Sequence, residues 1–286
     1  MLQEIRDLGF EYAELSHGIR LSLLPGILDA VDAGEIKIST AHNFCPLPIG
    51  ITHAAPNIFK FTSHDQRERE NAFRHTLKTI ETAHRVKAKL VVLHMGSIEM
   101  KDYTDRLLEM VADGQKDTPK YQKLCAEADA KRQAKKEKPI QYAYDMLRRI
   151  EEQAAMRGLL LGVENREALE EIPFESDFQL FFREFGGGTI RYWHDVGHAQ
   201  IKENLGFIQH QMHLESMADE LAGFHIHDVG FPGSDHQPPG TGTVDFAGLA
   251  PLIKPEHIKV FELHPSVTVE ELKAGIAHVK SFWGPE

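Results

Sequence analysis

The chain has 286 residues, 42% of them hydrophobic and 26% charged, and carries a formal net charge of −11. That length is close to the roughly 250 residues of one (β/α)8 barrel, and the acidic balance argues against broad, unaided adhesion to nucleic acid or to an anionic membrane. Only Cys45 and Cys125 occur, which excludes thiolate zinc sites and a disulfide framework and fits a reducing compartment, while seventeen histidines supply neutral nitrogen ligands.

The N-terminal stretch MLQEIRDLGFEYAEL is amphipathic and acidic rather than basic and then apolar, and no window approaches the ~18 apolar residues of a membrane span. A cytoplasmic protein is expected. A helix-like segment, Leu2 to Leu8, ends at Gly9 as a C-cap and leads to strand Tyr12 to Ser16, helix Leu21 to Ala33, strand Ile36 to His42, helix Asp65 to Val86 and strand Lys89 to His94. Residues 101–157 exceed a crossover helix and are rich in charge, with KRQAKKEK at Lys131 to Lys138 and an apolar stripe of Tyr142, Met146, Leu147 and Ile150. An inserted, solvated helical hairpin is expected there. Next come strand Gly158 to Glu164, helix Asp177 to Phe185, strand Ile190 to Val196, helix Lys202 to Leu221, strand Gly223 to Asp228, helix Phe246 to Ile253, strand Ile258 to His264 and helix Val269 to Phe282. The alternation predicts one domain over 1–286, a (β/α)8 TIM barrel of α/β class with outer helices. Seven strands are found where eight are needed, so the first strand is missing or atypical.

One apolar run after another ends in an acid or an imidazole: LVVLH at His94, LLLGVE at Glu164, IRYWHDVGH at Asp195 and His198, FHIHD at His225 to Asp228 and VFE at Glu262. Chemistry in a β/α barrel collects at the C-terminal ends of the strands. A carboxylate at the end of so apolar a strand as LLLGVE is costly to bury unless it is paired or metal-bound, and Glu262 repeats the arrangement. Asp195 and His198 sit where a strand turns into a helix; His225 and His227 share one strand parity, so one can be a ligand while the other packs. His42, in STAHNF, ends a further strand. The loop from Gly233 to Phe246 joins Asp235 and His236 to Gly240 and Gly242 and suits a tight closure over a ligand; no strand precedes its Gly-x-Gly directly, so it is not a dinucleotide fingerprint. The ligand set is oxygen and nitrogen, which suits a divalent ion such as Mn²⁺, Zn²⁺, Co²⁺ or Mg²⁺.

VENRE, DVGHA, FHIHD, the H-x-x-x-G-x-G of His236 to Gly242 and FELHP resemble the xylose isomerase-like TIM barrels, a group of sugar epimerases, hydroxypyruvate isomerases, inosose dehydratases and the apurinic endonuclease family 2. The similarity runs from Gly9 to Pro265. It implies one metal held by Glu164, Asp195, His225 and Glu262, with Glu164 and Glu262 also acting as the acid/base pair through a metal-stabilised enediolate. It further implies that His198 and Arg166 hold substrate hydroxyls, with His94, His42, His236 and His227 as further substrate contacts. A carbohydrate or sugar-derived hydroxy-ketone is the implied substrate, isomerisation or epimerisation the implied reaction, and dimerisation through rim loops is common in the group. Dehydratase or lyase chemistry follows from the same proton abstraction. The endonuclease branch is the alternative: there His42, His94, Glu164, Asp195, His198, His225, His236 and Glu262 would build three zinc sites for phosphodiester cleavage. The chain departs from that branch at Ser234, where an aspartate is expected two residues before His236. A non-catalytic binding barrel is a third class, and the intact carboxylates argue against it.

Overall fold

The computed structural model describes residues 2–284. Nine strands occur among them: β1 (Tyr12–Leu15), β2 (Lys37–His42), β3 (Leu90–Leu93), β4 (Leu160–Glu164), β5 (Ile190–Asp195), β6 (Leu221–Ile226), β7 (Asp228–Gly230), β8 (Ser234–Gln237) and β9 (Ile258–Phe261). Seven form one sheet in the order β1-β2-β3-β4-β5-β6-β9, with parallel ladders, and β7 and β8 form an antiparallel pair. The helices are α1 (Leu2–Asp7), α2 (Leu24–Asp32), α3 (Gln66–Arg85), α4 (Thr104–Ala112), α5 (Pro119–Lys135), α6 (Glu137–Ala155), α7 (Phe178–Phe185), α8 (Val196–Asn204), α9 (His210–Ser216), α10 (Phe246–Leu249) and α11 (Val269–Trp283). The β/α alternation is as expected, and seven sheet strands stand where eight would make the full set. No described helix is long and apolar enough to cross a membrane.

The chain divides into two compact units, each built from several segments. The first comprises residues 2–97, 138–164 and 185–191. Its β3 is buried along its whole length, as a parallel strand covered on both faces must be. Asp65 caps α3 by accepting from the Arg67 amide. Met146, Leu147 and Ile150 of α6 are buried, while Tyr142 is half-buried under the Arg69 guanidinium. This corrects the expected hairpin. Residues 101–157 hold three helices, and α6 is the crossover into β4 rather than half of an insertion.

The second unit comprises residues 98–137, 165–184 and 192–284. Here Leu107 and Val111 of α4 and Leu124 and Ala128 of α5 pack with Leu169, Leu205 and Val229. Arg132 is 3% exposed, so the basic run is not uniformly solvated. The expected helix over Lys202 to Leu221 is two helices. Gly206 takes φ +84 and ends α8 in a left-handed cap, with its N–H on Glu203 O and the Phe207 N–H on Lys202 O. Leu221 already belongs to β6. The segment read as a loop from Gly233 supplies β8, a short hairpin strand that polar residues such as Ser234, Asp235 and Gln237 hide from any apolar pattern.

Under α9 lies a buried polar chain. Gln200 donates to Glu203 and Asn204, which leaves its oxygen to accept from His210 Nδ1. His210 Nε2 then accepts from His194 Nε2 at 2.9 Å, His194 Nδ1 accepts from the Tyr192 hydroxyl at 2.8 Å, and the Tyr192 oxygen accepts from His213 Nε2 at 2.8 Å. His194 and His210 each use one nitrogen as donor and the other as acceptor, so the chain holds only while both are neutral. Burial presses His210 and His213 down to about 3, with the neighbouring His213 adding to the effect on His210 and Lys202 to that on His213. In the unfolded chain these rings take up protons near pH 6.5. Their contribution to stability is therefore complete above that pH and lost as pH falls from about 6.5 toward 3, by up to about 1.4 kcal/mol per pH unit for each ring. The urea midpoint is expected to drop between pH 7 and pH 5, and less steeply in His213→Gln; an unchanged midpoint would contradict the assignment.

Candidate active site

In the first unit, β2 and β4 end on His42 and Glu164, and His94 follows β3. His94 Nε2 lies 2.8 Å and His42 Nε2 3.6 Å from Glu164 Oε2, and all three residues are buried. His42 Nδ1 donates to the Asn43 carbonyl at 2.9 Å, and its Nε2 faces the carboxylate. Asn43 is itself held by Thr76 and Thr79 of α3. The glycine of HMGS has a steric origin. A Cβ on Gly96 would stand 2.3 Å from Thr62 Oγ1, the atom that joins both backbone groups of Ser97.

In the second unit, Asp195 ends β5 and caps α8, accepting from the His198 amide at 2.7 Å. Asn165 clamps it from the other side: the Asp195 N–H donates to Asn165 Oδ1 and Asn165 Nδ2 donates to the Asp195 carbonyl. That bracket explains the asparagine of VENRE. His225 Nδ1 lies 3.0 Å from Glu262 Oε2 and 3.8 Å from Asp195 Oδ2. His198 Nδ1 lies 3.0 Å from the Asn165 carbonyl and 3.3 Å from Arg166 Nη1. Arg166 in turn donates to Glu171, and Lys202 donates to the Arg166 carbonyl and pairs with Glu175. Asp195, His225 and Glu262 thus lie together, with His198 and Arg166 beside them. Both nitrogens of His227 face protein groups: Nε2 faces Asp195 and Nδ1 the His236 amide.

The segment after β6 folds around a buried anion. Asp228 accepts four backbone N–H groups: Val229 and Val244 on Oδ1, Gly240 and Gly242 on Oδ2. Gly240 sits at φ +89, and a Cβ on Gly242 would meet Val229 O at 2.2 Å. The Gly-x-Gly thus wraps an internal carboxylate. Asp235, His236 and Glu167 gather near His198, and ligand atoms of Glu167, His198 and Asp235 fall within 4.8 Å of one another, as do those of Asp195, His198 and His227. Burial alone would lower the His236 pKa; the Asp235 hydrogen bond and the Asp195 and Glu262 charges reverse this and raise it to about 9. Burial lifts Glu167 to about 7 against the pull of Arg166, with Asp235 adding. Glu167, Asn165 and Asp228 were not singled out from the sequence as site residues. For Glu167 a signal existed, since it follows Arg166 directly.

The xylose isomerase-like TIM barrel model matches residues 2–281. The chain belongs to that family. Solved structures of the same fold include 3-keto-D-glucoside 4-epimerase from E. coli, 17% identical with a TM-score of 0.68 over 98% of this chain and 92% of that one. D-psicose 3-epimerase from Clostridium cellulolyticum H10 is 13% identical with a TM-score of 0.66, over 99% and 93%. D-allulose 3-epimerase from Methylomonas sp. is 13% identical with a TM-score of 0.62, over 99% and 86%. No curated protein matches in sequence. At these identities the likeness establishes the fold.

Proposed function

We propose that the chain is a divalent-metal-dependent isomerase or epimerase of a sugar or sugar-derived hydroxy-ketone. The observation that carries this reading is the convergence of Asp195, His225 and Glu262 at the ends of parallel strands in a xylose isomerase-like barrel. The names of the solved structures of like fold, sugar epimerases, support the substrate class.

The residues fit a metal. In the second unit three of the proposed ligands lie together, His225 Nδ1 standing 3.0 Å from Glu262 Oε2 and 3.8 Å from Asp195 Oδ2, nitrogen and oxygen donors of the kind a divalent ion takes. In this reading Glu164, Asp195, His225 and Glu262 hold the ion, their oxygen and nitrogen donors suiting Mn²⁺, Zn²⁺, Co²⁺ or Mg²⁺. Such an ion supplies Lewis-acid stabilisation of oxyanion charge as it develops. Glu164 and Glu262 form the acid/base pair: one takes the proton from the carbon beside the carbonyl, the other returns a proton to that carbon. A metal-bound carboxylate is a weak base, so one glutamate must be loosely held; the Glu262 side chain is 25% exposed against 1% for Glu164 and suits that part. His198 and Arg166 hold substrate hydroxyls, and His42, His94 and His236 extend the contact surface.

The His42–His94–Glu164 group favours a second reading, a multinuclear zinc phosphodiesterase of the same family. Elemental analysis of protein purified without chelator or affinity metal separates the two. About one ion per chain, weakened in Glu262→Gln, with deuterium entering a keto-sugar from solvent, is the expected result. Nearly three zinc ions would favour phosphodiester hydrolysis, and no metal under any loading condition would defeat both.

A further inference from the structure

His227 is fully buried and takes no part in the proton transfer just described. Its Nε2 lies 3.0 and 3.1 Å from the two carboxylate oxygens of Asp195, and the His236 backbone N–H donates to its Nδ1 at 2.9 Å. Burial presses the His227 pKa down and Asp195 more than offsets this, raising it. The amide at Nδ1 nevertheless requires a lone pair there, so the ring is neutral with its proton on Nε2, donated to Asp195. The Asp228 carbonyl lies farther from Nδ1, at 3.3 Å.

Two further observations show how tightly this ring is placed. A Cβ on Gly197 would stand 2.0 Å from His227 Cε1, so the glycine of DVGH is the space that the ring occupies. His236 holds φ +55, a left-handed conformation that a non-glycine residue adopts at a cost and keeps only where its surroundings impose it. They do so at three points: its N–H on His227, its carbonyl accepting from the His264 amide, and its ring stacked on His227 at 4.3 Å and 12°.

The geometry points to His227 as a positioning residue that couples the segment Gly233–Val244 to Asp195, so that cation binding at Asp195 and ordering of that segment reinforce each other. Each end of the ring depends on the other. If the segment lifts away, Nδ1 loses its donor and the stack, and Asp195 loses the rigid N–H that orients both its oxygens. If a cation fixes Asp195, the ring is fixed and offers the His236 amide a preformed acceptor. Coupling of this kind is reciprocal by thermodynamic necessity. The inference rests on the metal-dependent reading of the site.

The test is amide hydrogen exchange of Gly233–Val244 in the full chain, with and without Mn²⁺, alongside Mn²⁺ affinity by calorimetry. In the wild type, Mn²⁺ is expected to slow exchange of this segment by about tenfold. His227→Asn should exchange it faster even without Mn²⁺ and bind Mn²⁺ about 10–100-fold more weakly. Gly197→Ala, which pushes a methyl into the ring and leaves Asp195 and the segment untouched, should reproduce both effects. Affinity within twofold of wild type in both variants, or a segment that ignores bound Mn²⁺, would overturn the coupling. A wild type that binds no Mn²⁺ while His227→Asn still loosens the segment would defeat the metal-dependent reading and, with it, the coupling, leaving only a structural tie between His227 and the segment.

Discussion

Glu164→Gln and Glu262→Gln are each expected to lower kcat by about 10²–10⁴-fold, the usual worth of a positioned general acid or base, and to leave the thermal midpoint nearly unchanged. The amide keeps the shape and one acceptor oxygen but can neither take a proton from carbon nor deliver one. The two variants should differ in a second respect. Glu164 is buried beside His42 and His94, whereas Glu262 is partly exposed and touches His225. Glu262→Gln should therefore weaken metal binding less than Glu164→Gln. Solvent deuterium incorporation into product, followed by mass spectrometry in each variant, reads the proton transfer directly; exchange at the wild-type rate in either one removes that glutamate from the acid/base pair.

The largest expected effect on stability lies elsewhere, at Asp228. Its carboxylate is fully buried and accepts four backbone N–H groups, from Val229, Gly240, Gly242 and Val244. Asp228→Ala orphans all four at once. Some recover partners from water as the segment opens, so the cost is set at about 3–4 kcal/mol rather than the full sum of four lost bonds. Asp228→Asn retains one acceptor oxygen but turns an NH₂ toward amide donors, and should fall between wild type and Asp228→Ala. Urea denaturation gives the comparison, and a loss below about 1 kcal/mol for Asp228→Ala would mean that the segment is organised by something else.

The sheet was legible because its strands are short apolar runs closed by a polar terminus, and the structure keeps all seven within a few residues of the expected bounds. The acids and imidazoles at those termini were legible for the same reason: LLLGVE and FHIHD stand out against their surroundings. What escaped is chemistry made by backbone groups or by partners distant in sequence. Nothing in FHIHD tells His225 from His227; the distinction comes from the His236 amide and from the space at Gly197. Asp228 reads as one more acid until the glycines of GTG fold over it. The break at Gly206 was legible in principle, but amphipathic residues on both sides let one helical period run through a left-handed cap. The polar β8 carries no apolar alternation, so only its partner β7 reveals it.

The charge-rich arm also sets a limit on how far this chain can be shortened. Arg132, from the run KRQAKKEK, reaches inward to donate to the carbonyls of Leu169 and Glu171 and pairs with Asp177. From α4, Thr104 and the Tyr103 amide donate to Glu170. Both helices thus splint the stretch on which Arg166 and Glu167 ride. A minimised barrel with residues 101–136 replaced by a tight turn would keep every acid and imidazole at the strand ends, yet it would leave that stretch without its splint. The arm resembles ornament in the linear sequence; in three dimensions it is scaffolding for the stretch that carries Arg166 and Glu167.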